Sequence, residues 1–301
     1  MSDGCENMKK RGLISFSGGE TSAFMANWLL QNFSEKYELK TVFANTGEEM
    51  EETLEFVDKC DRAFGLNVTW VEAAVQEYGK GTRANVVCFD SASRKGEPFE
   101  AVIEKYGIPS PGFPHCSREL KANPIHAYGA SIGWKDCVHF VGIRADEVDR
   151  MSPKASSQNL EYPLIDLGIT KQDVNRFWSR QTFRLPIQGF EGNCKTCWKK
   201  SKRKLLTIAQ SNPERFDFAK RMENKYQNAM PSGKSPDKYL LPARFYRGYL
   251  TSEQILEEAA LGLFTPATDD RLNSTSVIQP SFDFDTSLDV GGGCEESCEP
   301  F

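Results

Sequence analysis

The chain has 301 residues, of which 39% are hydrophobic and 26% charged, the composition of a soluble globular protein with room for one large domain or one domain and a smaller partner. No run approaches the length needed to cross a bilayer, and residues 1–11 lack the apolar core of a signal peptide, so no membrane partner is expected and the cytoplasm is the expected location. The net charge of −5 hides an asymmetry: residues 269–301 hold eight acids and one base, which leaves 36 bases against 34 acids in the rest and room there for an anionic substrate.

The first element is an apolar strand that ends in Ser15-Phe16-Ser17-Gly18-Gly19 and opens at Glu20-Thr21-Ser22 into a helix with Phe24, Met25, Trp28 and Leu29 on one face. Glycines let the backbone approach an anion, and the first N–H groups of the helix point at it with the positive end of the dipole. Phosphate is the natural guest of this turn. A second strand over 40–44 ends in Asn45-Thr46-Gly47-Glu48-Glu49, and a helix over 50–64 and a third strand over 67–71 follow. Strands alternating with helices imply parallel pairing with ligands at the carboxyl ends, where both Ser17 to Ser22 and Asn45 to Gly47 fall.

Residues 72–114 carry five glycines and four prolines and read as loop, a lid or a surface excursion, interrupted by a helix over 99–106. Next, His115-Cys116-Ser117-Arg118-Glu119-Leu120-Lys121 gathers one cysteine and two bases at a helix start, a setting that stabilises a thiolate or an anion. A fourth strand over 138–142 releases Ile143-Arg144-Ala145-Asp146-Glu147 at its carboxyl end.

Beyond Pro186 the composition changes. Cys194-Lys195-Thr196-Cys197 is a Cys-x-x-Cys knuckle, and with nine cysteines in a cytoplasmic chain the expected roles are metal ligation, dithiol chemistry or buried thiols. Two sulfurs are half a site, since a tetrahedral zinc or an iron-sulfur cluster wants three or four ligands. The basic run 199–204 reads as a solvated helix face or as a guide for nucleotide or nucleic-acid phosphates. Helices are expected over 212–228 and after the Thr251-x-x-Gln254 capping box, the latter ended by Gly262. The acidic stretch 269–301 reads as a flexible tail in which Cys294 and Cys298 are incidental or form a mobile dithiol.

Ser17-Gly18-Gly19-x-x-Ser22, with no Gly-Lys-Ser/Thr after it, resembles the pyrophosphate loop (PP-loop) of the adenine-nucleotide α-hydrolase group. That group includes ATP pyrophosphatases, thiolation enzymes and phosphoadenosine-phosphosulfate (PAPS) reductases. Asn45-Thr46-Gly47 followed by Glu52-Thr53, Cys116 with Lys121, and Gly142 to Glu147 resemble, in order, three further segments of the PAPS reductase family. Residues 162–166 and the helix near 170–179 match a family edge strand and helix, so the likeness covers residues 13–183. It implies a doubly wound parallel α/β sheet of HUP or Rossmann-like type over 1–185, to which the composition past Pro186 adds a small helical cysteine-bearing part over 186–268 and the tail 269–301. It further implies an adenine nucleotide, ATP with Mg²⁺ or PAPS, bound by Ser15, Ser17, Gly18, Gly19, Thr21, Ser22, Asn45, Thr46, Gly47, Lys121 and Arg144.

The same likeness brings Cys116 to the mouth of the pocket. Cys116, Cys194 and Cys197 are therefore the expected catalytic thiols and the expected ligands of one centre, a 4Fe-4S cluster or, with His115 as fourth ligand, Zn²⁺. The implied function is an ATP-pyrophosphatase-like sulfurtransferase or adenylating enzyme, with nucleic acid or a sulfur-donor protein as partner. A sulfonucleotide reductase and a non-catalytic nucleotide-binding module are the alternatives. Thr21 stands where many ATP-cleaving members carry Asp, and the Glu-Cys-Gly motif that ends the reductases has no counterpart beyond a loose one at Cys294 to Cys298.

Overall fold

Alternate residues of β1 (Lys10–Phe16) point to opposite faces of a sheet that is covered on both sides. Ile14 and Phe16 enter a core with Met25, Leu29, Leu54 and Phe56, whereas Leu13 enters a second core with Val42, Ile125 and Tyr128. The computed structural model describes residues 9–231, 233–237 and 239–269, so Cys294 and Cys298 lie outside the described residues. The strands that follow are β2 (Tyr37–Asn45), β3 (Thr69–Ala74), β4 (Arg83–Val87), β5 (Val138–Phe140) and β6 (Leu160–Glu161). They form one sheet in the order β4-β3-β2-β1-β5-β6, parallel throughout except for β3 with β4. Strand order reverses beside β1, between β1 and β5, and ligands of such sheets sit outside the carboxyl ends at that reversal. This is the doubly wound α/β architecture expected from the sequence.

Helices α1 (Glu20–Phe33) and α2 (Glu51–Phe64) cover the first face, α2 stopping at Gly65 with φ 63°. After α3 (Glu97–Tyr106), a π-helical turn at Arg118–Ala122 runs into α4 (Asn123–Ser131), which covers the second face with Ile125 and Tyr128. Next come the single turn α5 (Pro163–Asp166), α6 (Lys171–Trp178), α7 (Lys202–Ser211), α8 (Asp217–Tyr226) and α9 (Ser252–Leu261). Thr251 and Gln254 make the expected capping box on α9, and Gly262 ends it at φ 66°. The last helices are not a separate ball: Leu205, Ile208, Phe218, Met222 and Ile255 share one core with Phe99, Val102, Ile103 and Leu120. No helix among the described residues is long and apolar enough to cross a membrane.

Three local expectations give way. Residues 83–87 form the antiparallel edge strand β4 rather than loop; an edge strand with exposed Arg83, Asn85 and Val86 carries little apolar pattern to announce it. Residues 163–166 coil into α5 instead of extending the edge, since Pro163 has no N–H for a ladder and its fixed φ suits a first helical turn. The helix expected over 212–228 starts as a 3₁₀ turn at Pro213–Phe216 before α8.

Candidate functional site

Gly18 leaves β1 with φ 85°, and a Cβ there would lie 2.7 Å from the Thr53 methyl carbon on α2, so the turn has room for glycine alone. The two serines brace it: Ser22 Oγ accepts the Ser17 N–H at 3.1 Å, lies 2.9 Å from Ser17 Oγ and donates to the Gly19 carbonyl at 3.1 Å. Gly19 stands at the N-cap of α1 and offers no side-chain cap, which leaves the first turn of the helix open to an anion. Glu20 is buried beside this turn and takes the Arg184 guanidinium through two bonds of 2.9 Å and the Leu185 N–H at 3.2 Å. That latch was invisible to sequence reasoning because its partners lie 164 residues apart.

From the other side of the strand-order reversal, β5 brings Gly142 so close that a Cβ on it would stand 3.2 Å from Ser22 Cα. Arg144 follows, 3% exposed, with Nη1 donating to Thr21 Oγ1 at 3.2 Å and Nε donating to Asp146 at 3.0 Å. The expected arginine and the expected loop therefore meet at the first turn of α1.

On the β2 side, Asn45 Nδ2 donates to Glu72 at 2.6 Å, and its Oδ1 accepts the Gly47 N–H at 3.1 Å. Thr46 donates through N and Oγ1 to Glu49 Oε2 at 3.0 and 2.6 Å, and its hydroxyl lies 3.6 Å from Cys194 Sγ. The π-helical turn, a form that often marks functional sites, delivers Lys121 to the same place, 3.8 Å from Glu49. Lys121 is 5% exposed and lines two cavities. One, of about 10 Å³, touches Ser15 and Ser17 at the end of β1, where the buried Ser15 Oγ has no hydrogen-bond partner. The other, of about 30 Å³, is lined by Cys116, Cys194, Cys197, Thr46 and Glu48.

The electrostatics of the second cavity favour neutral groups. Desolvation pushes the Cys194 thiol well above its ordinary value, the Glu49 carboxylate adds to the rise, and Lys121 opposes it. Burial likewise lifts Glu48 to about 7, against the pull of Lys195 and with help from Glu49. The sequence signal for these acids was their place directly after Asn45-Thr46-Gly47 at a strand end.

Residues 11–161 match the phosphoadenosine phosphosulfate reductase domain. The chain belongs to that family. A nin region protein of Escherichia phage lambda, itself uncharacterized, is 33% identical over 199 residues, which are 64% of this chain and 67% of the phage protein. Two uncharacterized proteins of Methanocaldococcus jannaschii are 28% and 26% identical over 142 and 127 residues, and each match spans 24% of the archaeal protein. Adenine-nucleotide binding is a property of the PAPS reductase family.

Cys194 and Cys197 lie beyond the family match, and packing rather than the family motif brings them to Cys116. Three thiols on one cavity suit a soft metal in kind. Among the described residues, however, no group of three or more His, Cys, Asp and Glu side chains is arranged to hold an ion, so the arrangement does not fit the expected iron-sulfur or zinc centre. His115 is absent from that cavity lining: its ring packs on Phe113 at 4.6 Å, and burial lowers its pKa to about 4. Within the basic run, Lys200 departs from the expected solvated face. It is 2% exposed, donates to the Phe190 and Gly192 carbonyls, and has its pKa lowered by burial to about 8, an effect that the nearby Cys197 and Cys194 oppose.

Proposed function

We propose that this PAPS reductase family member is an enzyme that binds an adenine nucleotide at the β1–α1 loop and performs sulfur chemistry at Cys116, Cys194 and Cys197. The observation that carries the reading is Lys121, one buried cation shared by the cavity at the end of β1 and the cavity of the three thiols. A phosphate on the loop and a sulfur on the cysteines would share its charge. Ser17, Gly18, Gly19 and Ser22 cradle the phosphates, and Asn45 and Gly47 hold the β2 side. Arg144 reaches the first turn of α1 through Thr21.

In the adenylating form of the reaction, ATP with Mg²⁺ presents its α-phosphorus to an acceptor oxygen and pyrophosphate leaves. A sulfur nucleophile at the thiol cavity then displaces AMP. Glu48, half protonated near neutral pH, is placed to keep or give a proton beside the thiols. The reductase form uses the same cradle for PAPS, with a cysteine thiolate attacking the sulfonate sulfur as the sulfur–oxygen bond to the nucleotide phosphate breaks and adenosine 3',5'-bisphosphate leaves, giving an S-sulfocysteine.

The test is calorimetric titration of ATP with Mg²⁺, and of PAPS, into wild type and Gly19→Asp. A carboxylate at the N-cap of α1 puts negative charge where phosphate is to sit, so binding is expected to fall by at least a hundredfold while the far-ultraviolet circular dichroism is kept. Equal affinity in the variant would sink the assignment.

A further inference from the structure

We infer that a cleft beside the thiol cavity binds single-stranded nucleic acid, with one base stacked among its aromatic rings and the flanking phosphates on Arg244 and Arg247. The cleft has a volume of about 480 Å³, within the range of sites that take a nucleotide-sized group, and segments 108–113 and 236–249 line it. Its walls carry Phe113, Tyr239, Tyr246 and Tyr249, and among the described residues its charged lining is Arg244 and Arg247 with one acid, Asp237.

The rim is built to display flat faces with cations over them. Tyr249 keeps 46% of its surface exposed although Gly248 and Tyr249 both take positive φ, 71° and 62°, a conformation that a tyrosine rarely adopts. The Tyr249 hydroxyl is tied to the Pro242 carbonyl at 2.5 Å, and the Arg244 guanidinium lies 5.6 Å from the ring centroid. Beside the cleft-lining Phe113, Lys234 Nζ stands 4.0 Å from the centre of its ring. Rings paired with cations are what a base and its phosphate engage together, and stacking accepts any base because each has a π-face.

A basic path extends past the cleft, which favours a strand over a lone nucleotide. Arg247 donates to the Lys199 carbonyl at 3.3 Å, Lys199 Nζ lies 3.2 Å from Ser117 Oγ, and Arg118 follows with 61% of its side chain exposed. The path ends at the π-helical turn behind Cys116. The same two segments wall both spaces, for Phe113 lines the cleft three residues before Cys116 lines the thiol cavity, and Tyr246 lines the cleft beside Phe245 of the thiol cavity. In combination with the proposed function, on which this step rests, the bound strand is the acceptor of the sulfur chemistry.

The experiment is fluorescence anisotropy of labelled 12-residue single-stranded DNA and RNA with the full chain at about 50 mM salt and without adenine nucleotide. Binding is expected, and Tyr249→Ala and Arg244→Ala should each weaken it about tenfold, with a salt slope lower by about one for the arginine variant. Thermal melts check that both variants fold, and Lys234→Ala, beside the Phe113 ring, gives a second, independent readout. No binding at this salt, or binding untouched by the three variants, overturns the inference. Displacement of the strand by a nucleoside monophosphate or by polyglutamate at equal molar charge overturns it too, by showing a site for small nucleotides or for any polyanion. Variant-sensitive strand binding by a protein that takes up neither ATP nor PAPS supports the cleft and refutes the loop reading. Nucleotide uptake without strand binding does the reverse.

Discussion

Glu48 shows how one buried side chain ties stability to pH. Its carboxyl has an ordinary value of 4.5 and a folded value of about 7, raised by burial first and by Glu49 second. At and below pH 4 the group is protonated in folded and unfolded chains alike and costs nothing. Between 4.5 and 7 the unfolded chain gives up the proton that the folded chain retains, so stability falls, and above pH 7 the whole penalty stands, roughly 3 kcal/mol. Glu48→Gln removes the titration and keeps the shape. Calorimetric melting should show the variant several degrees more stable than wild type at pH 8 and nearly level with it at pH 4. The same gain at both pH values would place the effect elsewhere.

Among elements, the β1–α1 turn depends on a strap from far along the chain. Arg184, in the segment after α6, forks onto Glu20 in the first turn of α1, and the Trp178 indole donates to the Glu20 carbonyl at 2.9 Å. Without the guanidinium a buried carboxylate loses two charge-assisted bonds, a cost of about 2 kcal/mol. Arg184→Ala should therefore lower the melting temperature by several degrees and weaken adenine-nucleotide binding, because the cradle loses its anchor. A lower melting temperature with unchanged affinity would leave Arg184 a purely structural tie. This element also marks how far sequence reading reaches. Gly18, Ser22, Gly47 and the Gly142 to Arg144 exit were legible because backbone geometry and strand ends write themselves into short stretches. Glu20 with Arg184, the buried Lys200 and the edge strand β4 were not, since their meaning comes from partners distant in sequence or from a strand too exposed to carry a pattern.

At the scale of the whole molecule, the thiol cavity exists because the chain after residue 185 folds back onto the sheet domain. The family match ends at residue 161, yet Cys194 and Cys197 reach Cys116 through a core in which Phe99, Val102, Ile103, Ile108 and Leu120 are covered by Leu205, Ile208, Phe218, Met222 and Ile255. All five of the covered residues are 7% exposed or less. Full burial of such side chains contributes about 2 kcal/mol each, so uncovering them removes roughly 10 kcal/mol, comparable to the whole net stability of a domain. A chain ending at residue 185 should accordingly show no cooperative thermal transition and should bind a hydrophobic dye, even though it retains every expected phosphate-contacting residue from Ser15 to Arg144. A sharp melt within a few degrees of the full chain would mean that the sheet domain stands alone, and that α7 to α9 attach to it without sharing in its stability.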